Sequence, residues 1–296
     1  MSAEDVFTTH RGLLFRVSYD ILGTIVDAED VVQETWLRWT AADRDDIENP
    51  RAYLVRIATN QALNRLRSAK ARRETYVGPW LPEPIIDEAG LQTEHVGVDP
   101  AVDVTERAAR GEAISLAMLV VLETLTPSER AVFVLREVFG LSHEEVAAAL
   151  DKSPASIRQM AHRAREHVQA RRPRFEAPHE QRRQVTEQFL AACATGDIQA
   201  LLALLAPDVT LVSDGGGIVK AARRPILGAD KVSRFLMGIA EDAMKFDLRF
   251  ALVNGELGFV AYDGDALRSV LLLDLVDGSI ATVYVVANPE KLAHVL

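Results

Sequence analysis

The chain has 296 residues and a mass of 32.6 kDa, enough for two or three domains. Its 48% hydrophobic and 26% charged residues exclude a disordered or fibrous protein as the main interpretation. The formal net charge of −10 argues, taken alone, against nucleic-acid binding. A single cysteine, Cys193, excludes an intrachain disulfide and favours a reducing, cytoplasmic setting. We expect neither a secretory signal nor membrane association, because no apolar run approaches the length of a membrane span.

The distribution of charge changes this picture, because basic residues are concentrated in two short blocks. Residues 51–73 contain seven bases and no acid, and residues 152–177 have a net charge of +5. A solvated helix face normally mixes both signs, so the first block is not expected to be an ordinary surface. Two basic blocks on helices predict a two-site grip on nucleic acid.

Amphipathic helices are predicted in the first 75 residues. The second has an apolar stripe that includes Trp36 and Trp39, and Asp27 is predicted to cap it. Asn49 and Pro50 have the residue types of an N-cap and a first helical position, so another helix is expected to begin there. The apolar positions of that helix are Leu54, Ile57, Ala58, Ala62 and Leu66.

Residues 76–105 are predicted to be a linker, because prolines, glycines and acids replace the helical pattern. A connection of this length is unusual inside one compact domain and indicates a domain boundary. Trp80 lies between prolines in this segment, and an exposed tryptophan there is expected to dock against an apolar partner.

Residues 106–174 return to a helical pattern with clear start signals. Thr126 and Glu129 have the spacing of a capping box around Pro127, and Ser142 opens a second capping box. A further helix is predicted to begin at Ser153-Pro154 after a short turn, and this helix is basic. Two helices joined in this way are typical of a helix-turn-helix motif.

After residue 178 the pattern predicts helices followed by a meandering antiparallel sheet, which is an α+β arrangement. Asp277-Gly278 is a strong hairpin signal between the last two strands. A helix is expected over Asp230–Ala240. The predicted strands are Val209–Val212, Phe246–Val253, Leu257–Tyr262, Ser269–Val276 and Ile280–Ala287.

Several motifs together resemble a known family. The segments DAEDVVQETWLRW, NPRAYLVRIATNQALNRLRS and LTPSERAVFVLREVFGLSHEEVAAALDKSPASIRQMAHRARE resemble regions 2 and 4 of extracytoplasmic-function sigma factors. The linker motif WLPEP and two tail motifs, DGGG and NPEKL, resemble the subgroup of that family with a C-terminal SnoaL-like extension. The resemblance spans nearly the whole chain.

The resemblance implies a multidomain protein. Two all-α domains, sigma regions 2 and 4 with a helix-turn-helix in the latter, would be followed by an α+β SnoaL-like cone with a curved antiparallel sheet. The expected boundaries are region 2 at residues 1–75, the linker at 76–105, region 4 at 106–174 and the SnoaL-like domain at 178–296.

The resemblance also implies a function. It predicts an alternative RNA polymerase sigma factor that directs promoter-specific initiation in the cytoplasm, with a role in stress response. The fused C-terminal domain would modulate it in place of a dedicated anti-sigma protein. Core RNA polymerase and promoter DNA are the implied partners, and neither a cofactor, a metal nor an enzymatic activity of its own is expected.

Candidate binding residues follow from the helical pattern and the resemblance. One helix face, spaced i, i+3, i+4 and i+7, is expected to bind core polymerase: Asp30, Gln33, Glu34 and Leu37. Bases and amides of the first basic block are expected to open and hold the −10 element: Arg56, Asn60, Asn64, Arg65 and Arg67. The basic helix of the helix-turn-helix is expected to read the −35 element: Ser156, Arg158, Gln159, His162 and Arg163.

The linker and tail motifs are implied to cooperate in regulation between domains. Pro289 and Leu292 are the predicted apolar contacts for Trp80. The expected regulatory residues are Trp80, Leu81, Pro82, Glu83, Pro84, Asp214, Gly215, Gly216, Gly217, Asn288, Pro289, Glu290, Lys291 and Leu292.

Three alternatives remain open from the residues. One is a cone that binds a small-molecule ligand and gates the sigma domains, and another is a catalytic cone with Asp274, Tyr284 and Cys193 as the available groups. A free-standing helix-turn-helix repressor would not need the first basic block. The run Gly215–Gly217 is expected to be a turn rather than a phosphate loop, because the lysine-serine signature is missing.

Overall fold

A computed structural model describes residues 2–43, 47–87, 114–171 and 179–294, with only the backbone of Ala71, Arg72 and His179. The chain divides into two compact units, one of Met1–Thr75 with Met118–Arg172 and one of Tyr76–Ala117 with Pro173–Leu296. We call them the helical unit and the tail unit. Residues 88–105 of the predicted linker and 106–113 of the predicted region 4 lie outside the described residues. Among the described residues, no helix has both the length and the apolar character needed to cross a membrane.

The helical unit begins with α1 (Ala3–Leu22), α2 (Ile25–Ala41) and α3 (Pro50–Arg73). The predicted capping role of Asp27 is wrong, because α2 already begins at Ile25 and Thr24 is its N-cap. The Thr24 hydroxyl donates to the Asp27 carboxylate at 2.8 Å, so Asp27 lies in the first turn, where a negative charge still favours the helix dipole.

These first helices pack around a shared apolar core. The predicted apolar side of α3 is confirmed, since Leu54, Ala58 and Ala62 are fully buried. Trp39 lies in the same core and donates its indole N–H to the carbonyl of Ala3 at 2.8 Å. Burial of this kind contributes roughly 25 cal/mol for each Å² of apolar surface, which outweighs the few polar contacts between the helices.

The rest of the helical unit contains α4 (Leu116–Leu122), α5 (Pro127–Phe133) with a π-helical turn (Val134–Val138), α6 (His143–Leu150) and α7 (Pro154–Gln169). Both predicted capping boxes are present, at Thr126 and at Ser142. The N-cap of α7 is Ser153, which accepts from the N–H of Ser156 at 3.2 Å. Asp151 turns the chain between α6 and α7 with φ 52°, which confirms the helix-turn-helix.

The tail unit combines helices with a mixed sheet. Its helices are α8 (His179–Thr195), α9 (Ile198–Leu204), α10 (Ala229–Ala243) and α11 (Pro289–Leu292). The strands are β1 (Ile86–Asp87), β2 (Leu205–Asp214), β3 (Ile226–Leu227), β4 (Asp247–Val253), β5 (Glu256–Asp263), β6 (Ala266–Val276) and β7 (Ser279–Val286). They are ordered β1-β4-β5-β6-β7-β2-β3. All neighbouring pairs are antiparallel except β2 and β7, which run parallel.

Two tight turns explain the central meander of the sheet. Asp277 and Gly278 have φ values of 50° and 79°, so the predicted hairpin between β6 and β7 is confirmed. Asn254 and Gly255 turn β4 into β5 in the same way, with φ values of 51° and 77°. The latter dipeptide is an equally strong signal that the sequence reasoning did not use.

The core of the tail unit lies between its helices and one face of the sheet. Phe189, Leu201 and Leu236 from the helices pack with Phe259 and Val283 from the strands. Because side chains alternate along a strand, Asp274 and Tyr284 are placed on the opposite face from Leu273 and Val283.

Candidate functional site

The α2 surface contains a shallow depression of about 480 Å³ that includes Asp30, Gln33, Glu34 and Leu37. Leu37 is 65% exposed, which places an apolar side chain in a polar rim. An exposed leucine surrounded by charged groups is typical of a protein-docking surface. The structure therefore brings together the residues that the sequence pattern predicted for one partner.

Charged groups on α2 and α3 cross-link this surface. The guanidinium of Arg65 lies 2.9 Å from the Asp30 carboxylate, and the Gln61 amide donates to Glu34 at 2.8 Å. Arg65 and Asp30 both remain partly exposed, and exposed pairs contribute about 0–1 kcal/mol. Such contacts can be exchanged for contacts with a partner. Arg65, predicted to bind DNA, thus lies at the border of the α2 depression.

The other predicted −10 residues lie on the exposed side of α3: Arg56, Asn60, Asn64 and Arg67. The Asn60 amide donates to the carbonyl of Ala149, at 2.9 Å, and so links α3 to α6. Arg67 donates to the Asn64 side chain at 3.1 Å, and the Arg56 guanidinium lies 5.8 Å from the ring centre of Tyr53. The exposed amides and guanidiniums have the donor chemistry that phosphates and base edges need.

The C-terminal end of the first basic block has a structural role that the sequence reasoning missed. The Lys70 ammonium donates to the carbonyl of Leu125 at 2.7 Å, and Arg73 pairs with Glu123. Glu123 also pairs with Arg130, whose side chain is 1% exposed. Burial works to raise the pKa of Glu123, but Arg130 and Arg73 outweigh it and hold the pKa below its usual value. Part of the basic block therefore anchors α3 to α4 and α5.

Helix α7 has an apolar face and an exposed polar face. Ile157, Met160 and Ala164 are buried in the helical unit. The predicted −35 residues lie on the other side, with Ser156 half-buried and the rest exposed: Arg158, Gln159, His162 and Arg163. This arrangement leaves a row of hydrogen-bonding groups along the helix, as a major-groove reader requires.

Acidic neighbours hold two of these arginines in exposed pairs. Arg163 lies 3.2 Å from Glu129 and Arg158 lies 3.7 Å from Glu144. A hydrogen bond from the Thr126 hydroxyl, supported by Arg163, lowers the pKa of Glu129. Exposed pairs of this kind are weak, so the arginines remain available to phosphates.

The linker and tail motifs meet at one buried polar cluster in the tail unit, which we call the motif cluster: Tyr76, Trp80, Leu81, Asp214, Gly216, Asn288 and Lys291. Asp214, fully buried at the end of β2, accepts from the hydroxyl of Tyr76 at 2.6 Å and the N–H of Leu81 at 2.8 Å. It also accepts from the Lys291 ammonium at 2.7 Å and the N–H of Gly216 at 3.1 Å. Full satisfaction of this kind is what makes a buried carboxylate tolerable.

Trp80 contacts the C-terminal motif through Lys291. The Lys291 ammonium lies 4.1 Å from the ring centre of Trp80 and also donates to the carbonyl of Leu81. A cation over an aromatic face thus links the two motifs, and the apolar contact of Trp80 with Pro289 and Leu292 stays a prediction.

Tyr76 is a member of the motif cluster that the sequence reasoning missed. Its hydroxyl accepts a hydrogen bond from the Asn288 amide at 2.8 Å while donating to Asp214. Burial and the hydrogen bond to Asp214 raise the pKa of Tyr76. Its position just before the Gly78-Pro79 break was the available signal.

The glycines of the DGGG motif allow the cluster to close. Gly216 has φ 62°, and a Cβ atom there would lie 2.5 Å from the Asn288 amide nitrogen. Gly217 has φ 75°, and a Cβ atom there would lie 2.9 Å from Val77. Side chains at these positions would therefore separate the tail motifs from the start of the linker.

The start of the predicted linker is packed on the tail unit. Leu81, Pro82, Glu83 and Pro84 are buried, and β1 extends the sheet by pairing with β4. The N–H of Asn254 donates to the carbonyl of Ile85 at 2.8 Å, and the Asn254 side chain accepts from the N–H of Ile85 at 3.1 Å. The remaining motif residues lie in the same region. Gly215 is buried, and the N–H of Glu290 donates to the side chain of Asn288, the N-cap of α11. Helix α11 begins with Pro289 and ends with the buried Leu292.

The groups available for catalysis are not gathered around one reaction centre. Asp274 and Tyr284 lie on the sheet face opposite the apolar core, whereas Cys193 packs against that core. Burial raises the pKa of the Cys193 thiol to about 11, which disfavours the nucleophilic thiolate. Among the described residues, no group of three or more His, Cys, Asp or Glu side chains is arranged to hold a metal ion.

Comparison with known proteins identifies the family. Residues 6–72 match the Sigma-70 region 2 model, and residues 115–168 match the Sigma-70, region 4 model. The chain is 38% identical to the ECF RNA polymerase sigma factor SigJ of Mycobacterium tuberculosis, over 96% of this chain and 91% of that protein. It is 32% identical to the probable ECF RNA polymerase sigma factor SigI of the same species, over 96% of this chain and 92% of that protein.

A solved structure agrees with the sequence comparisons. The crystal structure of Mycobacterium tuberculosis SigJ matches with a TM-score of 0.74 and 34% identity, over 99% of this chain and 98% of that chain. The helical unit with its helix-turn-helix therefore defines a sigma-70-type initiation factor that carries an additional α+β domain. The chain belongs to the extracytoplasmic-function RNA polymerase sigma factors. Factors of this class bind core RNA polymerase and promoter DNA and direct transcription initiation.

Proposed function

We propose that this sigma factor binds core polymerase through the α2 depression, with Leu37 as the apolar contact. Asp30, Gln33 and Glu34 would supply polar contacts around it. The single observation that carries this proposal is the exposed leucine inside a concave, charged surface. The local ion pairs of Asp30 and Glu34 are exposed enough to exchange for partner contacts.

The two basic helices are proposed to divide the promoter between them. Bases and amides of α3 would hold the opened −10 element, and the polar face of α7 would read the −35 element in the major groove. The exposure of these side chains supports the proposal. The −10 group is Arg56, Asn60, Asn64, Arg65 and Arg67. The −35 group is Ser156, Arg158, Gln159, His162 and Arg163.

The tail unit is proposed to modulate initiation by holding the start of the linker. In this division, residues 1–75 are region 2, 76–105 the linker, 106–174 region 4 and 178–296 the regulatory domain. Within the motif cluster, Asp214 and Lys291 hold Tyr76, Trp80 and Leu81, which lie in the first residues after region 2. The regulator is therefore covalently attached, and we expect a cytoplasmic factor that needs neither a dedicated anti-sigma protein nor an activity of its own.

Core binding is tested with one substitution and a matched control. Leu37→Arg changes an exposed leucine of the helical unit, and Leu227→Arg changes a leucine of the tail unit with a similar exposure, 65% against 62%. We expect Leu37→Arg to weaken binding of the full chain to core polymerase at least tenfold, as measured by equilibrium fluorescence anisotropy. Leu227→Arg is expected to leave it unchanged. Equal affinities for wild type and Leu37→Arg would contradict the proposal that Leu37 contacts core polymerase.

Modulation by the tail is tested through Lys291. Lys291→Met removes the cation from the motif cluster, and Lys231→Met removes an exposed lysine of the same unit. With core polymerase saturated, we expect the first variant to change promoter-directed transcription severalfold and the second to leave it unaltered. Identical transcription by both variants would show that the motif cluster does not modulate initiation.

A further inference from the structure

A small cavity lies beside the motif cluster, between the start of the linker and the loop after β2. Its volume is about 160 Å³, and it is lined by Val77 and Gly78 on one side and by residues between Ser213 and Arg223 on the other. Two of the lining side chains are cationic, Lys220 and Arg223. Among the described residues, none of those that line the cavity is acidic, although the chain as a whole carries a net charge of −10.

The cations of this loop are unusual because acids do not neutralise them. In the described part of the tail unit, the arginines outside this loop have carboxylate partners: Arg182, Arg183, Arg234, Arg249 and Arg268. Lys220 and Arg223 make no ion pair among the described residues. Asp242, which Lys220 influences electrostatically, is already bound by Lys245 at 2.6 Å. Residues 215–229 contain three bases and no acid, so the loop maintains a local positive potential.

The remaining lining suits a ligand that is only partly polar. Val77 is 50% exposed and Val219 is 40% exposed, and both lie at this cavity with Ala221. A half-open space lined by both cations and exposed valines matches an anionic group attached to a small apolar body. The volume of about 160 Å³ is sufficient for a phosphate group with a small apolar substituent.

We propose that this cavity binds a small organic phosphate, with the phosphate held by Lys220 and Arg223 and the organic part against Val77 and Val219. The site shares no residue with the proposed polymerase or DNA contacts. Its occupant would touch Val77 and Gly78, which lie shortly before the docked WLPEP motif, together with the loop that contains Gly217. Binding would therefore stabilise the docked linker through linkage.

The experiment uses the full chain and two probes, inorganic phosphate and phenyl phosphate, with sodium chloride at matched ionic strength as the reference. Calorimetric titration is expected to give saturable binding of both, severalfold tighter for phenyl phosphate because its ring contacts the valines. Lys220→Gln with Arg223→Gln is expected to weaken binding at least tenfold. Lys231→Gln with Arg268→Gln, which removes the same charge from elsewhere in the tail unit, is expected to retain wild-type affinity.

A second variant tests the site without removing its cations. Val77→Glu places a carboxylate at an exposed position of the cavity wall and is expected to abolish phosphate binding while the melting temperature stays close to that of the wild type. The proposal is overturned if wild-type binding is not saturable, or if both charge-removing double variants lose affinity equally. It is also overturned in favour of a nucleic-acid surface if neither probe binds and Lys220→Gln with Arg223→Gln selectively weakens DNA binding.

Discussion

Ion pairs differ in solvent exposure between the proposed binding surfaces of the helical unit and the motif cluster of the tail unit. The pairs Arg65–Asp30 and Arg163–Glu129 remain partly exposed, with side-chain exposures of 32% and 47% in the first and 52% and 19% in the second. In the tail unit, the Asp214 side chain is fully buried and that of Lys291 is 7% exposed. Exposed pairs contribute little to stability and are readily exchanged, whereas a buried pair is costly to break. The comparison separates surfaces that we propose to meet partners from a cluster that fixes geometry.

The largest effect is expected at Asp214. Asp214→Ala removes the acceptor shared by Tyr76, Leu81 and Lys291 and leaves a buried cation, so we expect a loss of about 3–5 kcal/mol in the free energy of unfolding. Urea unfolding measures it, with Asp265→Ala as the exposed control. A loss below about 1 kcal/mol would mean that Asp214 contributes no more than an exposed ion pair, which would contradict the distinction between exposed and buried pairs.

Asp20 in the helical unit is a buried carboxyl group that makes the stability of the fold depend on pH. It is 2% exposed, and burial raises its pKa to about 7 in spite of Arg16 and Arg130. In the unfolded chain the Asp20 carboxyl releases its proton above its usual pKa of 3.8, whereas in the folded protein it retains the proton up to about pH 7. The stability that the bound proton contributes is therefore complete below about pH 4 and is lost as pH rises to about 7. The slope is at most about 1.4 kcal/mol per pH unit.

Asp20→Asn tests this contribution. The variant is expected to flatten the fall in unfolding free energy between pH 4 and 7 and to be more stable than the wild type at pH 8. Chemical unfolding at each pH measures it, and Asp265→Asn serves as the exposed control. Parallel profiles for the wild type and Asp20→Asn would show that Asp20 carries no such proton.

The closure of the motif cluster is tested with two glycines of the same backbone conformation. Gly216 and Gly264 have φ values of 62° and 61°, but only a Cβ at Gly216 meets other atoms within 4 Å. We expect Gly264→Ala to cost about 1 kcal/mol for its left-handed conformation, and Gly216→Ala to cost about 1–3 kcal/mol more. Thermal unfolding compares them, and equal costs would mean that Asn288 simply moves aside.

The smallest stability effect is expected at the exposed pair of α7. Arg163→Gln should change the free energy of unfolding by less than about 1 kcal/mol. It should nevertheless reduce the salt dependence of DNA binding by about one counterion, because a phosphate contact is lost. Arg268→Gln, which breaks an exposed pair in the tail unit, is the control and should leave the DNA salt dependence unchanged.

The sequence was informative where local signals decide structure. The capping boxes at Thr126 and Ser142 and the Asp277-Gly278 turn appear as predicted, because caps and turns depend on neighbouring residues. The site residues of α2 could be placed on one face for the same reason, since a helix repeats regularly.

Contacts between distant residues were not predictable from one sequence. The role of Arg73 beside Glu123, and the approach of Tyr76 to Asp214, depend on chain segments that meet only in the folded protein. Lys291 was assigned to a motif, but its cation–π contact with Trp80 follows from the depth at which α11 packs. The composition of residues 76–87 predicted a linker. In the structure the end of this segment pairs with β4 and forms the strand β1, a contact between segments that are distant in the sequence.

The most direct test of the account is transcription by reconstituted holoenzyme on fragmented genomic DNA of the organism that encodes the protein, with sequencing of transcript starts. The account predicts defined start sites with the full chain, at least tenfold fewer transcripts with Leu37→Arg, and unchanged transcripts with Leu227→Arg. Defined starts that persist undiminished with Leu37→Arg, or none with the wild-type chain, would contradict it.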